Sequence, residues 1–536
     1  MSTQRERHAP SVDRPVLLVS AGVVTLFVLW GVLSPESLSE LSGDALARVT
    51  GALDWAFVLA SGGFLVLAVW LAASRYGHVR LGGPDARPEF RTASWIAMMF
   101  SAGMGIGLMF WGVSEPVSHL LAPPPGGGEP GTRETALDAM EWSYFHWAAH
   151  PWAMYAVVGL ALAYFGYRRG GKPLISETFR PLIGDRVDGT AGRAIEVLAI
   201  VATLFGSATS LGLGALQITS GLDYVWGVDP SDALAVAVIG VLTLAFLASA
   251  LSGVHRGIQW LSSTNMVLAL LLVVFVLAVG PTVAILDTFT SSVGGYLTAL
   301  PGMATTTGAN ADPAWLGSWT IFYWAWWISW TPFVGAFIAR ISRGRTVREF
   351  VLGVILAPSL VSFVWFSVLG GTALDLSLDG VTAIGDAVGE SPEAGLFATL
   401  QQLPWFTATS VLVVVLVALF FVSGADAAAV VLAMMSSRGS VEPARPVVAL
   451  WGVLTGLVAG VLLLAGGLGA VQTMCIVAAF PFMLVMVGTC VSLVLELRRR
   501  HRPEPPDGPG RPAARTLDLT AAEDGARRRG ADPVAP

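Results

Sequence analysis

The chain has 536 residues, 54% of them hydrophobic and only 13% charged, with a mean hydropathy of +0.67. Soluble domains carry about 25% charged residues, so these figures exclude a soluble globular protein and point to a chain whose apolar surface meets lipid. A formal charge of −6 without any basic domain excludes nucleic acid as a partner.

Apolar runs of about 20 residues, long enough to cross a bilayer, lie near 15–33, 54–74, 94–114, 142–166, 194–220, 233–254, 259–280, 316–339, 349–372, 405–434, 446–467 and 470–495. The first follows Arg5, Arg7 and Arg14 and is too long for a signal-peptide core, so it reads as an uncleaved helix. The expectation is an all-α membrane protein with twelve transmembrane helices. Residues 1–14 form a cytoplasmic N-terminus, 15–496 the membrane domain, and 497–536 a cytoplasmic tail rich in Pro, Arg, Ala and Gly that reads as disordered. Residues 282–301 are only partly apolar and read as an interfacial helix.

Charge alternates with these spans. Arg75/Arg80/Arg87/Arg91, Arg168/Arg169/Lys172/Arg180, Arg256, Arg340/Arg343/Arg345/Arg348, Arg438/Arg445 and Arg498/Arg499/Arg500/Arg502 fall on one side, and the intervening loops are acidic. The positive-inside rule places both termini in the cytoplasm of a multi-pass protein of the cell (plasma or inner) membrane.

Two spans contain helix-breaking residues. The third holds Ser101-Ala102-Gly103-Met104-Gly105-Ile106-Gly107 and the eighth Trp330-Thr331-Pro332-Phe333-Val334-Gly335. They stand five spans apart and enter the membrane from opposite sides, the signature of an inverted five-helix repeat (helices 3–7 and 8–12, cores about 94–280 and 316–495). Unwound backbone at membrane depth is tolerated where it lines a cavity. A nucleotide-binding loop is excluded, because the glycines are flanked by apolar helix and not by a strand.

The eighth span carries an aromatic stripe. Trp326, Trp327, Trp330 and Phe333 recur at helical spacing, so their rings share a face. Aromatic faces attract poorly hydrated cations, quaternary ammonium groups above all. Trp147, Trp152 and Tyr155 flank Pro151 in the fourth span and can turn to one side of a proline-bent helix. Three or four cation–π contacts at about 0.5–2 kcal/mol each would suffice without a buried carboxylate. His146 and His150 have a metal pair's spacing but read as hydrogen-bonding residues beside this cluster. Glu115 and Glu141 read either as helix ends or as external gate residues. Asp426, a carboxylate inside a span, is a candidate proton or gating group. Cys475 and Cys490 imply no disulfide framework. Paired catalytic carboxylates, an activated nucleophile and a cofactor loop are absent, so no enzyme is expected.

The block from Trp324 to Phe350, with its run Trp326-Trp327-Ile328-Ser329-Trp330-Thr331-Pro332-Phe333, resembles the signature of the betaine/choline/carnitine transporter family. Gly82-Gly83-Pro84-Asp85-Ala86-Arg87-Pro88-Glu89-Phe90, the glycine run at 103–107 and His146-Trp147-Ala148-Ala149-His150-Pro151-Trp152-Ala153-Met154-Tyr155 support the resemblance. It implies a leucine-transporter-type core with two extra N-terminal helices, and often a homotrimer.

The resemblance also implies a substrate box of Trp147, Trp152 and Tyr155 opposite Trp327, with Trp326, Trp330 and Phe333 along the access route. The substrate's carboxylate would rest on backbone N–H groups of Gly103, Gly105 and Gly107. Choline carriers of the family commonly have aspartate at the last glycine, and Gly107 here implies a zwitterion such as glycine betaine, or ectoine. Sodium as coupling ion would use carbonyls of Ser101, Met104 and Phe420 and the hydroxyl of Ser423. Gly424 replaces a second hydroxyl, which counts against sodium, yet sodium symport remains the leading expectation, with proton coupling or exchange the alternative. A second sodium site would draw on Ser207 and Ser210.

Overall fold

The computed structural model of the protein describes residues 12–103, 105–252 and 255–501. Among them every regular element of more than one residue pair is helical. Residues 1–11 and 502–536, where most of the expected tail lies, fall outside the described residues, as does Met104.

The chain opens with α1 (Arg14–Leu33), capped by Asp13, and α2 (Pro35–Ala73), which starts with a proline in its first turn. Next come α3 (Thr92–Gly103) and α4 (Ile106–Leu121), then α5 (Arg133–Trp147) and α6 (Ala149–Ala163), the last running into a π-turn at Tyr164–Arg168. The short α7 (Arg180–Ile183) leads to α8 (Thr190–Trp226), α9 (Asp232–Ser252) and α10 (His255–Val279). Beyond Pro281 the chain bends by 110° into α11 (Thr282–Met303), the segment expected to lie along the interface. A single turn, α12 (Pro313–Leu316), and a π-turn at Gly317–Ile321 precede the aromatic α13 (Phe322–Ile341). α14 (Val347–Leu378) starts on a capping box in which Thr346 and Glu349 bond each other's backbone N–H groups. α15 (Thr382–Glu390) and α16 (Gly395–Gln401) form a cover before α17 (Phe406–Ser436). α18 (Arg445–Arg500) is broken at Gly466 and Gly467, the latter at φ 59°. At about 1.5 Å per residue its 56 residues would extend about 84 Å unbroken, far beyond one bilayer crossing. The chain divides at Leu495 into a large packed unit and a short carboxy-terminal one, of which Glu496–His501 is described.

Eight helices among the described residues are long and apolar enough to cross a membrane, or nine if the bent pair α10–α11 is one span. The protein is therefore a multi-pass membrane protein. Large apolar side chains such as Leu59, Val66, Leu244, Leu270 and Leu356 stay exposed on the outer helix faces, where lipid replaces water.

The expected interruption of the third span is present: α3 ends at Gly103 and Gly105 is fully extended ahead of α4. The expected interruption at Trp330–Gly335 is not. α13 passes through Pro332 as continuous helix. Pro332 has no N–H for the carbonyl of Ile328, and the hydroxyl of Thr331 donates to that carbonyl instead, at 2.7 Å. Ser329 likewise donates to the Trp326 carbonyl at 2.6 Å. Replacing Thr331 by valine should leave a buried carbonyl without a donor. A destabilisation of about 1–3 kcal/mol is expected, visible as a lower melting temperature of the purified protein in detergent.

α13 crosses α6 where both are stripped to glycine. A Cβ on Gly335 would stand 3.0 Å from Val158 Cγ1 and 3.1 Å from the Gly159 nitrogen. This close approach packs α13 against α6.

Candidate aromatic substrate site

The fourth span bends at Ala148 (φ −106°, ψ −113°), between α5 and α6. The bend and the missing N–H of Pro151 free two backbone acceptors. The carbonyl of Trp147 takes the hydroxyl of Ser362 from α14 at 2.9 Å, and the carbonyl of His146 takes the indole N–H of Trp327 from α13 at 2.9 Å. The break in one helix is thus closed by an aromatic residue of the other, and this fixes both rings.

Trp147 meets Trp327 edge-on at 4.8 Å and Trp326 at 6.1 Å. Trp326 and Trp327 stack at 4.8 Å with 13° between planes, and Tyr323 continues the stack at 6.0 Å from Trp327. Tyr155 stands edge-on to Trp327 at 6.4 Å, and Trp152 joins through Tyr155 at 5.4 Å. Trp147, Trp152, Tyr155, Trp326 and Trp327 are all buried, which is not the disposition of an interfacial aromatic belt. Trp330 and Phe333, 5.7 Å apart, are half-buried at the end of the stripe, with Trp330 6.3 Å from Trp326.

The broken third span abuts this cluster. A Cβ on Gly107 would stand 2.6 Å from Trp326 Cη2 and 2.8 Å from Trp147 Cη2, so only glycine lets α4 approach both indoles. Gly105 has open space beside it. Gly103 ends α3, and of Ser101 the backbone is described, in the same last turn.

One residue corrects the expectation of a box without an acid. α4 runs to Leu121, seven residues beyond the expected end at 114, and Glu115 lies inside it, fully buried. It is neither a helix end nor an exposed gate residue. Oε2 accepts the Trp147 indole N–H at 2.7 Å and the Tyr323 hydroxyl at 2.5 Å, and Oε1 shares a hydrogen bond with His146 Nδ1 at 2.6 Å. Thr320 lies 3.0 Å from the other nitrogen of His146. His119, one turn along α4, has Nε2 3.6 Å from Glu115 Oε1, and neither of its ring nitrogens has a hydrogen-bond partner. His150 takes no part: its ring stacks on Trp324 at 5.2 Å with both nitrogens unpartnered, against the expectation of a hydrogen-bonding role.

Glu115, His119 and His146 offer ligand atoms within 4.8 Å of one another and are the group among the described residues that could hold a metal ion. Zinc ligands at about 2.0–2.1 Å in tetrahedral array stand about 3.3 Å apart. The 2.6 Å between His146 Nδ1 and Glu115 Oε1 is a hydrogen bond and does not fit two ligands of one ion.

Several of the residues expected to hold ions make hydrogen bonds of their own. The carbonyl of Phe420 accepts the hydroxyl of Ser423 at 3.2 Å, and Ser423 Oγ accepts the side-chain amide of Asn265 from α10 at 3.1 Å. Asn265 is buried, and its Oδ1 has no hydrogen-bond partner; the sequence reading did not single it out. Gly424 has open space where a hydroxyl would project. Ser207 and Ser210 are buried on α8, and Ser210 Oγ accepts the Trp326 indole N–H at 3.2 Å. Asp426 is buried on α17. Met104 lies outside the described residues.

Eight or nine apolar helices among the described residues, with buried indoles packed across a bent and a broken one, make this a multi-pass helical membrane protein. Residues 15–502 match the family model of betaine/carnitine/choline family transporters, and the chain belongs to that family: it is a transporter and not an enzyme. It is 45% identical over 499 residues to the glycine betaine transporter OpuD of Bacillus subtilis, covering 92% of this chain and 96% of that protein. It is 40% identical over 506 residues to the betaine/ectoine transporter LcoP of Corynebacterium glutamicum, covering 93% and 80%. The ectoine/hydroxyectoine transporter of Virgibacillus pantothenticus is 40% identical over 477 residues, covering 89% and 95%.

Proposed function

We propose that the protein imports a zwitterionic quaternary-ammonium or related compatible solute, glycine betaine in type, by sodium-coupled alternating access. The observation that carries this reading is the buried contact of Trp147, at the bend between α5 and α6, with Trp327 and Trp326 in the first turns of α13. A methylated ammonium group entering between them would face several ring quadrupoles in a water-poor setting, each worth about 2 kcal/mol or more when desolvated. The relatives, betaine and ectoine transporters by name, support the same substrate class.

In this reading α1, α2, α3 with α4, α5 with α6, α8, α9, α10, α13, α14, α17 and the two limbs of α18 are twelve spans. Spans three to seven and eight to twelve are inverted repeats of the leucine-transporter type. The arginine-bearing ends face the cytoplasm with both termini. Three copies associate, and the outer apolar faces bind lipid. The extended backbone at Gly105 receives the substrate carboxylate, and Trp330 and Phe333 border its route. Sodium is held by the carbonyls of Ser101, Met104 and Phe420 with Ser423, and a second ion by Ser207 and Ser210. One charge moved through about 100 mV supplies about 2.3 kcal/mol.

A second reading is proton-coupled or exchange transport of choline-, carnitine- or ectoine-type solutes, with Asp426 carrying a proton. The open space at Gly424 and the engagement of Ser423 by Asn265 favour it. Uptake of radiolabelled glycine betaine, choline, carnitine and ectoine into proteoliposomes, with sodium and proton gradients imposed separately, tests both. The first reading expects saturable betaine uptake that needs sodium outside. Uptake driven by a proton gradient alone would establish the second, and unsaturable conductance would overturn both.

A further inference from the structure

Glu115 is fully buried inside an apolar span, and hydrogen bonds from two other helices fix its place. Oε2 accepts the indole N–H of Trp147 at 2.7 Å and the hydroxyl of Tyr323 at 2.5 Å, one donor from α5 and one from α13. Oε1 shares its bond with Nδ1 of His146, whose other nitrogen meets Thr320 at 3.0 Å. Two proton arrangements satisfy this chain. Either His146 Nδ1–H donates to a carboxylate and Nε2 accepts the Thr320 hydroxyl, or a protonated acid donates to Nδ1 and Nε2–H donates to Thr320. In both, Oε2 is the acceptor of Trp147 and Tyr323, so its hold on them does not depend on charge.

Trp147 and Tyr323 belong to opposite walls of the aromatic site. Trp147 meets Trp327 edge-on at 4.8 Å, while Tyr323 stacks with Trp327 at 6.0 Å and stands edge-on to Trp147 at 5.5 Å. One oxygen atom thus ties the ring of one segment to the stack of the other. His146 adds a second tie: its backbone carbonyl accepts the Trp327 N–H, and its imidazole stacks on Tyr323 at 4.8 Å. About two turns earlier on α4, Gly107 abuts Cη2 of both Trp147 and Trp326. The Trp147 indole is therefore held at its nitrogen by Glu115 and backed at its far edge by the same helix.

We propose that Glu115 is a positioning residue of the aromatic site: it limits how far Trp147 can part from the Tyr323–Trp327 stack, and so sets the size of ammonium head group the site admits. It acts through the two rings and touches no substrate. The proposal rests on the substrate reading above and deepens it. A head group entering between Trp147 and Trp327 must spread rings that are now in contact. While both donors stay on Oε2, the Trp147 nitrogen and the Tyr323 oxygen can separate only as far as two hydrogen bonds to one atom allow. Cation–π attraction falls off once a ring centroid is more than about 6 Å away, so a limited opening keeps both walls on a trimethylammonium group and shuts out a bulkier one.

The test reads head-group size. Glycine betaine and its triethyl homologue, triethylammonioacetate, share charge and carboxylate and differ in the volume of the head. Dissociation constants of both are measured by equilibrium dialysis on the purified full-length protein, unmodified and as Glu115→Gln and Glu115→Met. The unmodified protein is expected to prefer betaine. Glu115→Gln keeps the tie, its amide oxygen accepting from Trp147 and Tyr323 and its NH2 donating to His146, and should hold the preference within about threefold. Glu115→Met has similar length and no oxygen; it should weaken betaine and spare the homologue, lowering the preference about tenfold or more. Equal weakening of both ligands by Glu115→Met, or an unchanged preference, would overturn the proposal and leave Glu115 a structural residue. A Glu115→Gln protein that loses the preference as fully as Glu115→Met would overturn it too. Should Glu115→Met not give a monodisperse protein, Tyr323→Phe removes one of the two bonds on Oε2 and should lower the preference about threefold or more; no change there also overturns it. Failure of the unmodified protein to bind betaine at all would be a different result, ending the substrate reading and this proposal with it.

Discussion

Replacing Trp327 with alanine is expected to weaken glycine betaine binding by about thirtyfold or more, measured by equilibrium binding to the purified protein. A desolvated cation–π contact of about 2 kcal/mol corresponds to about a thirtyfold change in Kd. The loss has a second source. The Trp327 indole is the donor that satisfies the His146 carbonyl freed by the bend at Ala148, so its removal leaves a buried acceptor unpaired and loosens the edge-on contact with Trp147. Trp327→Phe keeps a ring but not the donor, and should fall between the two. Equal binding by all three proteins would mean that the ring does not meet the ligand.

Gly107→Ala is expected to cost at least tenfold in uptake by proteoliposomes, and Gly105→Ala less than twofold. The two glycines are two residues apart in one broken span and differ in what surrounds them. A methyl group at Gly107 would lie 2.6 Å from Trp326 and 2.8 Å from Trp147, where carbon atoms normally keep about 3.5–4.0 Å, so both indoles must move by about an ångström. At Gly105 nothing lies within 4 Å, its backbone is at φ −160°, and its N–H, the proposed donor to the substrate carboxylate, survives the substitution. A larger effect at Gly105 than at Gly107 would reverse the assignment of which glycine shapes the site.

Much of the architecture is legible in residue types because lipid enforces it. A span must be apolar over about 20 residues, so hydropathy points to apolar helices, of which eight or nine among the described residues are long and apolar enough to cross. The break between α3 and α4 is legible because two glycines remove the helix preference over one turn. The same reasoning fails at Pro332. Proline removes a hydrogen bond, but whether the helix opens depends on what replaces the donor, and Thr331 supplies it locally. A hydroxyl residue directly before the proline was the signal for a continuous helix. At Pro151 the replacement comes from a different helix, through Ser362, and no local pattern announces it.

The aromatic residues that pack together here were legible from their spacing and from family resemblance; the buried acid beside them was not. Glu115 fell one residue beyond the expected end of the third span, where a carboxylate reads as a helix terminus. The structure extends that helix to Leu121 because Val117 and Leu120 are buried against neighbouring elements. The available signal was His119, four residues on, which puts a second polar side chain on the same face of an otherwise apolar turn. Asn265 escaped notice for a related reason: an isolated carboxamide in an apolar helix acquires meaning only through its partner, Ser423, 158 residues away.

Locating the cationic head group itself is the decisive measurement. Arsenobetaine has the shape and charge of glycine betaine with arsenic in place of nitrogen, and anomalous scattering from a crystal of the complex would mark that atom. The arsenic should lie within about 6 Å of the ring centroids of both Trp147 and Trp327, with the two rings parted from their present 4.8 Å contact to admit it. An ordered arsenic peak elsewhere in the protein, with those rings still in contact, would contradict an aromatic box built from the fourth and eighth spans.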